Sequence, residues 1–132
     1  MNILLVEDEA ALADVIARNL RARQHDTAIA ASAGEAIAAM EERWPDVLIL
    51  DVNLPDLTGW EILRRLTVLD RSRLRVIVIS AAPISPKRIE EFQPLRILQK
   101  PFPISALVRM LSEGGPSPAA ESDAEAPWSD ES

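Results

Sequence analysis

The 132-residue sequence predicts an α/β fold: a doubly wound, five-stranded parallel sheet with helices on both faces, in three α/β/α layers. Three observations predict it. Residues 3–6 (Ile-Leu-Leu-Val), 47–50 (Val-Leu-Ile-Leu) and 76–79 (Val-Ile-Val-Ile) are short apolar runs without alternation, the pattern of parallel strands covered on both sides. Helical apolar spacing fills the gaps between the runs. Strand and helix thereby alternate five times, and right-handed crossovers place all strand C-termini along one edge.

Taken in order, the first strand is residues 3–6, and Leu12, Val15, Ile16 and Leu20 give the first helix an apolar stripe. A weaker strand covers 27–30, and Ile37 and Met40 mark a second helix over 33–42. After the strand at 47–50, Ile62, Leu63, Leu66 and Leu69 mark a third helix. The strand at 76–79 is followed by Ser85-Pro86, an N-cap with proline at the first helical position, opening a short fourth helix that Pro94 ends. Residues 97–99 form the fifth strand, and Leu107, Val108 and Leu111 define the last helix, with Pro103 near its start. Beyond Glu113, Gly114-Gly115-Pro116-Ser117-Pro118 breaks that helix. The composition divides the chain into one domain over 1–113 and an acidic, Pro/Ala/Ser-rich tail over 114–132 that cannot bury a core and is expected to be disordered.

Composition removes several function classes. With no cysteine, disulfides, thiol catalysis and thiolate zinc sites are excluded; with one histidine, His25, multi-histidine metal sites fall too. No apolar run reaches the ~18–20 residues of a membrane span, and the N-terminus lacks the basic region of a signal peptide. The expectation is a soluble, cytoplasmic protein. Net charge is −7, but five acids of the tail (Glu121, Asp123, Glu125, Asp130, Glu131) account for most of it. The rest sets 14 basic against 16 acidic residues. No basic face emerges to attract nucleic acid, so direct nucleic-acid binding is not expected. The four glycines, Gly34, Gly59, Gly114 and Gly115, form no phosphate-cradling loop.

Chemistry concentrates at the predicted strand ends. The first strand runs into Glu7-Asp8, the third into Asp51, the fourth into Ser80 and the fifth into Lys100. In a doubly wound sheet with the first and third strands adjacent, these residues converge at the switch-point crevice. Three carboxylates in one pocket repel, and a hard divalent cation such as Mg2+ relieves that repulsion while keeping positions open for phosphate oxygens. Lys100 adds a compact positive charge and Ser80 a hydroxyl donor. A carboxylate that can act as nucleophile, a metal, a lysine and a hydroxyl suit phosphoryl transfer, which asks for positioning and charge neutralisation. Each residue alone has a plainer reading. Asp8 suits a helix N-cap, Asp51 a turn after a strand, Ser80 a backbone-bonded hydroxyl, and Lys100 a snorkelling surface lysine. Lys100 is the more telling one, because only two of the 14 basic residues are lysine.

The ordered set Ile3-Leu4-Leu5-Val6-Glu7-Asp8-Glu9, Leu50-Asp51-Val52-Asn53-Leu54-Pro55, Gly59, Ser80-Ala81 and Lys100-Pro101-Phe102 resembles the receiver (response-regulator) family of two-component signalling, and the chemotaxis-regulator kind in particular. The resemblance covers about residues 1–112. It implies a flavodoxin-like strand order 2-1-3-4-5. It implies that Asp51 accepts a phosphoryl group from the phosphohistidine of a sensor histidine kinase or phosphotransfer protein. Glu7, Asp8, Asp51 and the Asn53 backbone carbonyl would hold Mg2+ (or Mn2+), Ser80 would swing toward the phosphoryl group, and Lys100 would contact its oxygen. The Lys100-Pro101 bond would be cis. The output would be a shape change that controls a downstream protein, in a domain that is a signalling acceptor and not an enzyme, with homodimerisation open.

Two departures stand out. The family pairs the hydroxyl after strand four with an aromatic residue three positions before the lysine; here that position is Ile97, and the chain has no tyrosine. The stretch from Ser80 to Lys100 is short and rich in proline (Pro83, Pro86, Pro94), so the fourth helix is expected to be stunted. These departures favour an alternative, a phosphorylation-independent receiver that serves as a protein-interaction module; the complete acid, acceptor, hydroxyl and lysine set opposes it. An aspartate-nucleophile phosphatase is disfavoured because Asn53 stands where a second acid would shuttle protons. Trp44 and Trp60 read as packing or surface residues, His25 as a turn residue, and Trp128 as an inert tail residue or the anchor of a short binding motif.

Overall fold

The structure is a computed structural model that describes residues 1–93 and 96–113. The expectations for the tail over 114–132, for Trp128 and for Pro94 fall outside those residues, as does the side chain of Leu69.

Five parallel strands run in the order β2-β1-β3-β4-β5, where β1 is Asn2–Val6, β2 Asp26–Ala30, β3 Val47–Asp51, β4 Arg75–Ser80 and β5 Arg96–Gln99. This is the doubly wound order expected from the sequence. The unalternating apolar runs have a direct cause, since β1, β3 and β4 each pack both of their faces. Leu4, Val6, Leu48, Leu50, Val76 and Val78 point to one core. Ile3, Leu5, Val47, Ile49, Ile77 and Ile79 point to the other. Helix α2 (Ala33–Glu42), α3 (Gly59–Arg64) and α5 (Pro86–Phe92) supply the first core with Ala36, Met40, Trp60, Ile62, Leu63 and Phe92. Helices α1 (Ala10–Ala22) and α6 (Ile104–Ser112) supply the second with Ile16, Leu20, Leu107 and Met110.

Two expectations are corrected, and one plainer reading, Asp8 as a helix cap, does not hold. The third helix is not continuous: α3 ends at Arg64, and a separate helix α4 (Val68–Ser72) follows. Thr67 accounts for the break, because its side chain accepts from Asp70 N while Asp70 accepts from Thr67 N, a reciprocal capping box that starts a new helix. Leu66 stays partly buried against the first core, so apolar spacing alone did not reveal the interruption. In α1, Val15 is 40% exposed, and the buried stripe is Ala13, Ile16, Ala17 and Leu20. Small alanines carry no strong pattern, so the stripe's centre was misplaced by one position. Asp8 does not cap α1; Glu9 holds the N-cap position and makes no side-chain capping bond.

The fourth helix, α5, is short, with seven residues, and Ser85 caps it by accepting from Arg88 N ahead of Pro86. Its Phe92 stacks on Trp60 of α3 with ring centroids 5.2 Å apart. Arg88 lies over the Trp60 ring at 5.5 Å and Arg64 over the Phe92 ring at 5.4 Å, completing a four-layer stack between the two helices. Trp60 is thus a packing residue, while half-buried Trp44 takes Arg73 over its ring at 5.2 Å.

Candidate functional site

Strand register builds the site. Val6 lies beside Leu50, so Glu7, one residue on, comes level with Asp51 at the end of β3. Asp51 in turn lies beside Ile79, which lies beside Leu98. Side chains alternate along a strand, so Lys100, two residues past Leu98, returns to the face that Asp51 occupies. The result is a cluster at the sheet's carboxyl edge. Glu7, Asp8 and Asp51 each offer a carboxylate oxygen, all within 4.8 Å of one another. Lys100 Nζ lies 3.0 Å from Asp51 Oδ2 and 3.2 Å from Glu7 Oε1.

Burial sets the electrostatics. Glu7 is 1% and Asp51 3% exposed, whereas Asp8 is exposed. Burial, followed by the negative charge of Asp51, pushes the Glu7 carboxyl up to about 7, against hydrogen bonds from Glu9 N and Lys100 that pull it down. Burial by itself would lower the Lys100 ammonium, but hydrogen bonds to Asp51 and Glu7 and their charges prevail and raise it. The ammonium therefore stays charged, shared between the two buried carboxylates.

The loop after β3 is pinned to its own carboxylate, with Asn53 N donating to Asp51 Oδ1 at 2.9 Å. Gly59, which opens α3, is wedged beneath it. A Cβ there would meet the Asp51 carbonyl oxygen at 2.7 Å and Leu50 Cγ and Val52 Cα at 3.0 Å. Only glycine leaves room for that approach.

Ser80 sits one residue beyond the level of Asp51 and, by alternation, toward the opposite face. Its hydroxyl donates to Ala82 O at 2.5 Å and accepts from Ala82 N at 3.1 Å. Its carbonyl accepts from Lys100 N at 2.8 Å, tying the β4 and β5 ends together. Ile97 lies beside Val78 and is half-buried. The Lys100-Pro101 bond is cis.

The structure thus gathers Glu7, Asp8, Asp51 and Lys100, with Ser80 adjacent and turned into its own loop. Two further acids were not singled out from the sequence. Glu9 Oε1 lies 3.6 Å from Lys100 Nζ, and its place directly after Glu7-Asp8 was a usable signal. Asp56 accepts from Ala33 N and Gly34 N of α2, and those bonds hold its carboxyl below the usual range. Nothing local in the sequence announces a contact across more than 20 residues.

The residues fit a divalent cation. The donor set is all oxygen, as Mg2+ prefers. Glu7 Oε1 is buried without a hydrogen bond of its own, with the Lys100 ammonium beside it as an ion pair. Of the cluster, Asp8 faces outward, leaving the cluster open on one side.

A doubly wound parallel sheet with acids and a lysine at its carboxyl edge defines an α/β domain with a candidate ligand site at the switch point. The chain belongs to the response regulator receiver domain family, which it matches over residues 3–112. It is 31% identical to the receiver domain of the hybrid histidine kinase CckA, with a TM-score of 0.72 over 86% of this chain and 97% of that one. It is 25% identical to a CheY-like receiver domain protein from Methanospirillum hungatei, with a TM-score of 0.75 over 85% and 90%. Among sequence relatives, the transcriptional regulatory protein AfsQ1 of Streptomyces coelicolor is 34% identical over 80 residues, 61% of this chain and 35% of that protein. The transcriptional regulatory protein TrcR of Mycobacterium tuberculosis is 45% identical over 65 residues, 49% of this chain and 25% of that protein. The matched parts span only a quarter to about a third of these two regulators. Among the described residues, no helix is long and apolar enough to cross a membrane.

Proposed function

We propose that this receiver domain takes a phosphoryl group onto Asp51 from the phosphohistidine of a sensor histidine kinase or phosphotransfer protein, with Mg2+ or Mn2+ bound, and changes shape to control a downstream protein. The observation that carries this reading is the placement of Lys100 Nζ 3.0 Å from Asp51 within the three-carboxylate cluster. A carboxylate oxygen of Asp51 attacks phosphorus, the phosphorus–nitrogen bond of the donor breaks, and its electron pair stays on the imidazole. The product is an acyl phosphate on Asp51.

Glu7, Asp8, Asp51 and the Asn53 carbonyl would hold the metal, which when bound offsets the negative charge of the nucleophile and the incoming phosphoryl oxygens. Lys100 already faces Asp51 and needs only a small movement to meet a phosphoryl oxygen. Ser80 must give up Ala82 to donate to the same group, so that exchange is the conformational step nearest the chemistry. Ile97 offers no hydroxyl and no ring, so a pairing of Ser80 with an aromatic residue at that position is not available to this chain.

Asn53 cannot act as a general acid or base, which supports an acceptor that holds its phosphate over an enzyme that turns over substrates. The functional unit is residues 1–113, its contacts are with proteins, and its compartment is the cytoplasm. The near balance of charge over that unit supports protein partners over nucleic acid.

Incubation with acetyl phosphate and Mg2+ tests this. The intact mass should rise by one phosphate, labile to base, and Asp51→Asn should abolish the gain. An unchanged mass for the wild type would return the chain to the interaction-module reading, and labelling of Asp51→Asn would remove Asp51 as the acceptor.

A further inference from the structure

The loop between β3 and α3 is closed on itself at its base. Gly59 N donates to Val52 O at 2.9 Å, and Asn53 and Thr58 form an antiparallel bridge. What fixes the loop's outer end is Asp56. Its Oδ1 accepts from Ala33 N at 2.9 Å and from its neighbour Leu57 N at 3.0 Å, and its Oδ2 accepts from Gly34 N at 2.9 Å. Ala33 and Gly34 are the first two residues of α2, whose N–H groups have no acceptor within their own helix. Ser32 caps the third N–H, from Glu35, at 3.1 Å.

A local cap therefore serves one donor, while a carboxylate from a distant loop serves the other two. An aspartate in a turn ordinarily bonds its own backbone. Asp56 does that with Leu57 and also spans to a second element, where the positive end of the helix dipole strengthens both bonds. Asn53, whose carbonyl belongs to the proposed metal site, lies three residues upstream in this doubly anchored loop.

We propose that Asp56 is a positioning residue for metal binding: by tying the β3–α3 loop to the start of α2, it fixes the place of the Asn53 carbonyl. The proposal rests on the metal-site reading above. It assigns α2, which contributes no ligand, a part in the site's affinity for the cation.

The test measures Mg2+ affinity of the 132-residue chain by isothermal titration calorimetry, for wild type, Asp56→Ala, Asp56→Asn and Ser32→Ala. Asp56→Ala should weaken Mg2+ binding about tenfold, the scale seen when groups that orient metal ligands are removed. Asp56→Asn, which keeps one acceptor oxygen, should fall between it and wild type. Ser32→Ala weakens the same helix start without touching the loop, and should bind Mg2+ as wild type does. The gap should persist in about 0.5 M salt, where a mere loss of surface charge is screened.

Equal Mg2+ affinity for Asp56→Ala and wild type would overturn the proposal, as would a matching loss in Ser32→Ala or a gap that vanishes in salt. Circular dichroism of each variant confirms that it is folded. The outcomes separate from those of the acceptor reading: a wild type that binds Mg2+ but never labels refutes phosphorylation and leaves Asp56 in its role.

Discussion

Replacing Lys100 with Met tests the electrostatic core of the site. The ammonium sits 3.0 Å from Asp51 Oδ2 and 3.2 Å from Glu7 Oε1, and both carboxylates are buried. The Glu7 carboxyl stands at about 7 instead of its ordinary 4.5. Because its folded value is raised, the stability this group contributes is fully present below the ordinary value and is lost as pH rises through about 7. Lys100, also raised, is protonated in folded and unfolded chains at any pH below its ordinary 10.5, so it adds no slope of its own there. Without it, the hydrogen bond and charge that pull Glu7 down are gone, and ionisation of Glu7 is deferred to higher pH.

Each unit of deferral costs about 1.4 kcal/mol. Between pH 7 and about 8.5 the variant should therefore lose more stability than wild type, by an amount set by the deferral and at most about 2 kcal/mol over that interval. The ceiling is about 3–5 kcal/mol, the cost of orphaning one member of a buried pair, lowered here because the lysine is partly exposed. The assay is urea unfolding of Lys100→Met and wild type in metal-free buffer with chelator, at pH of about 5.5 and about 8.5, followed by far-ultraviolet circular dichroism. A stability difference that is the same at both pH values would refute the reasoning, because Glu7 would then not depend on Lys100 for its charge.

Further expectations address packing and the metal. Gly59→Ala should destabilise by about 1–3 kcal/mol in the same urea assay, since its Cβ has nowhere to go but into the Asp51 peptide. Thr67→Ala should cost about 1 kcal/mol through loss of the capping box at α4, again by urea unfolding. Val15→Asp should change stability by less than about 0.5 kcal/mol, because that residue is 40% exposed and belongs to neither core; a larger loss would mean α1 is rotated from the orientation described. Mg2+ at about 100 times its Kd should stabilise the wild type by about 2.7 kcal/mol in thermal unfolding, and chelator should remove the gain.

The layout of the sheet was legible because a strand buried on both faces must be apolar at every position, as residues 47–50 are. Counting to the end of such a run also located Asp51 and Ser80, while Lys100 follows the shorter, partly buried fifth strand. What sequence spacing could not show was which neighbours the chain brings alongside. Thr67 reads as an ordinary polar residue within a helical pattern until Asp70 is seen to complete the box. Asp56 follows a proline in a turn, and its partners Ala33 and Gly34 lie far upstream. Ser80 belongs to the site by position, but whether its hydroxyl faces the acids or its own loop depends on the path of residues 81–82, which leave no periodic trace.

The stacked layer of Arg88, Trp60, Phe92 and Arg64 has a practical consequence. One indole is held between a guanidinium on one side and a phenyl ring on the other, contributed by a helix that follows directly on the Ser80 loop. Sliding α5 by the width of a side chain would alter both neighbours of that chromophore together. Trp60 is therefore a native optical gauge of how α5 is seated, read as the ultraviolet difference between the wild type and a Trp60→Phe variant, a difference that removes the signals of Trp44 and Trp128.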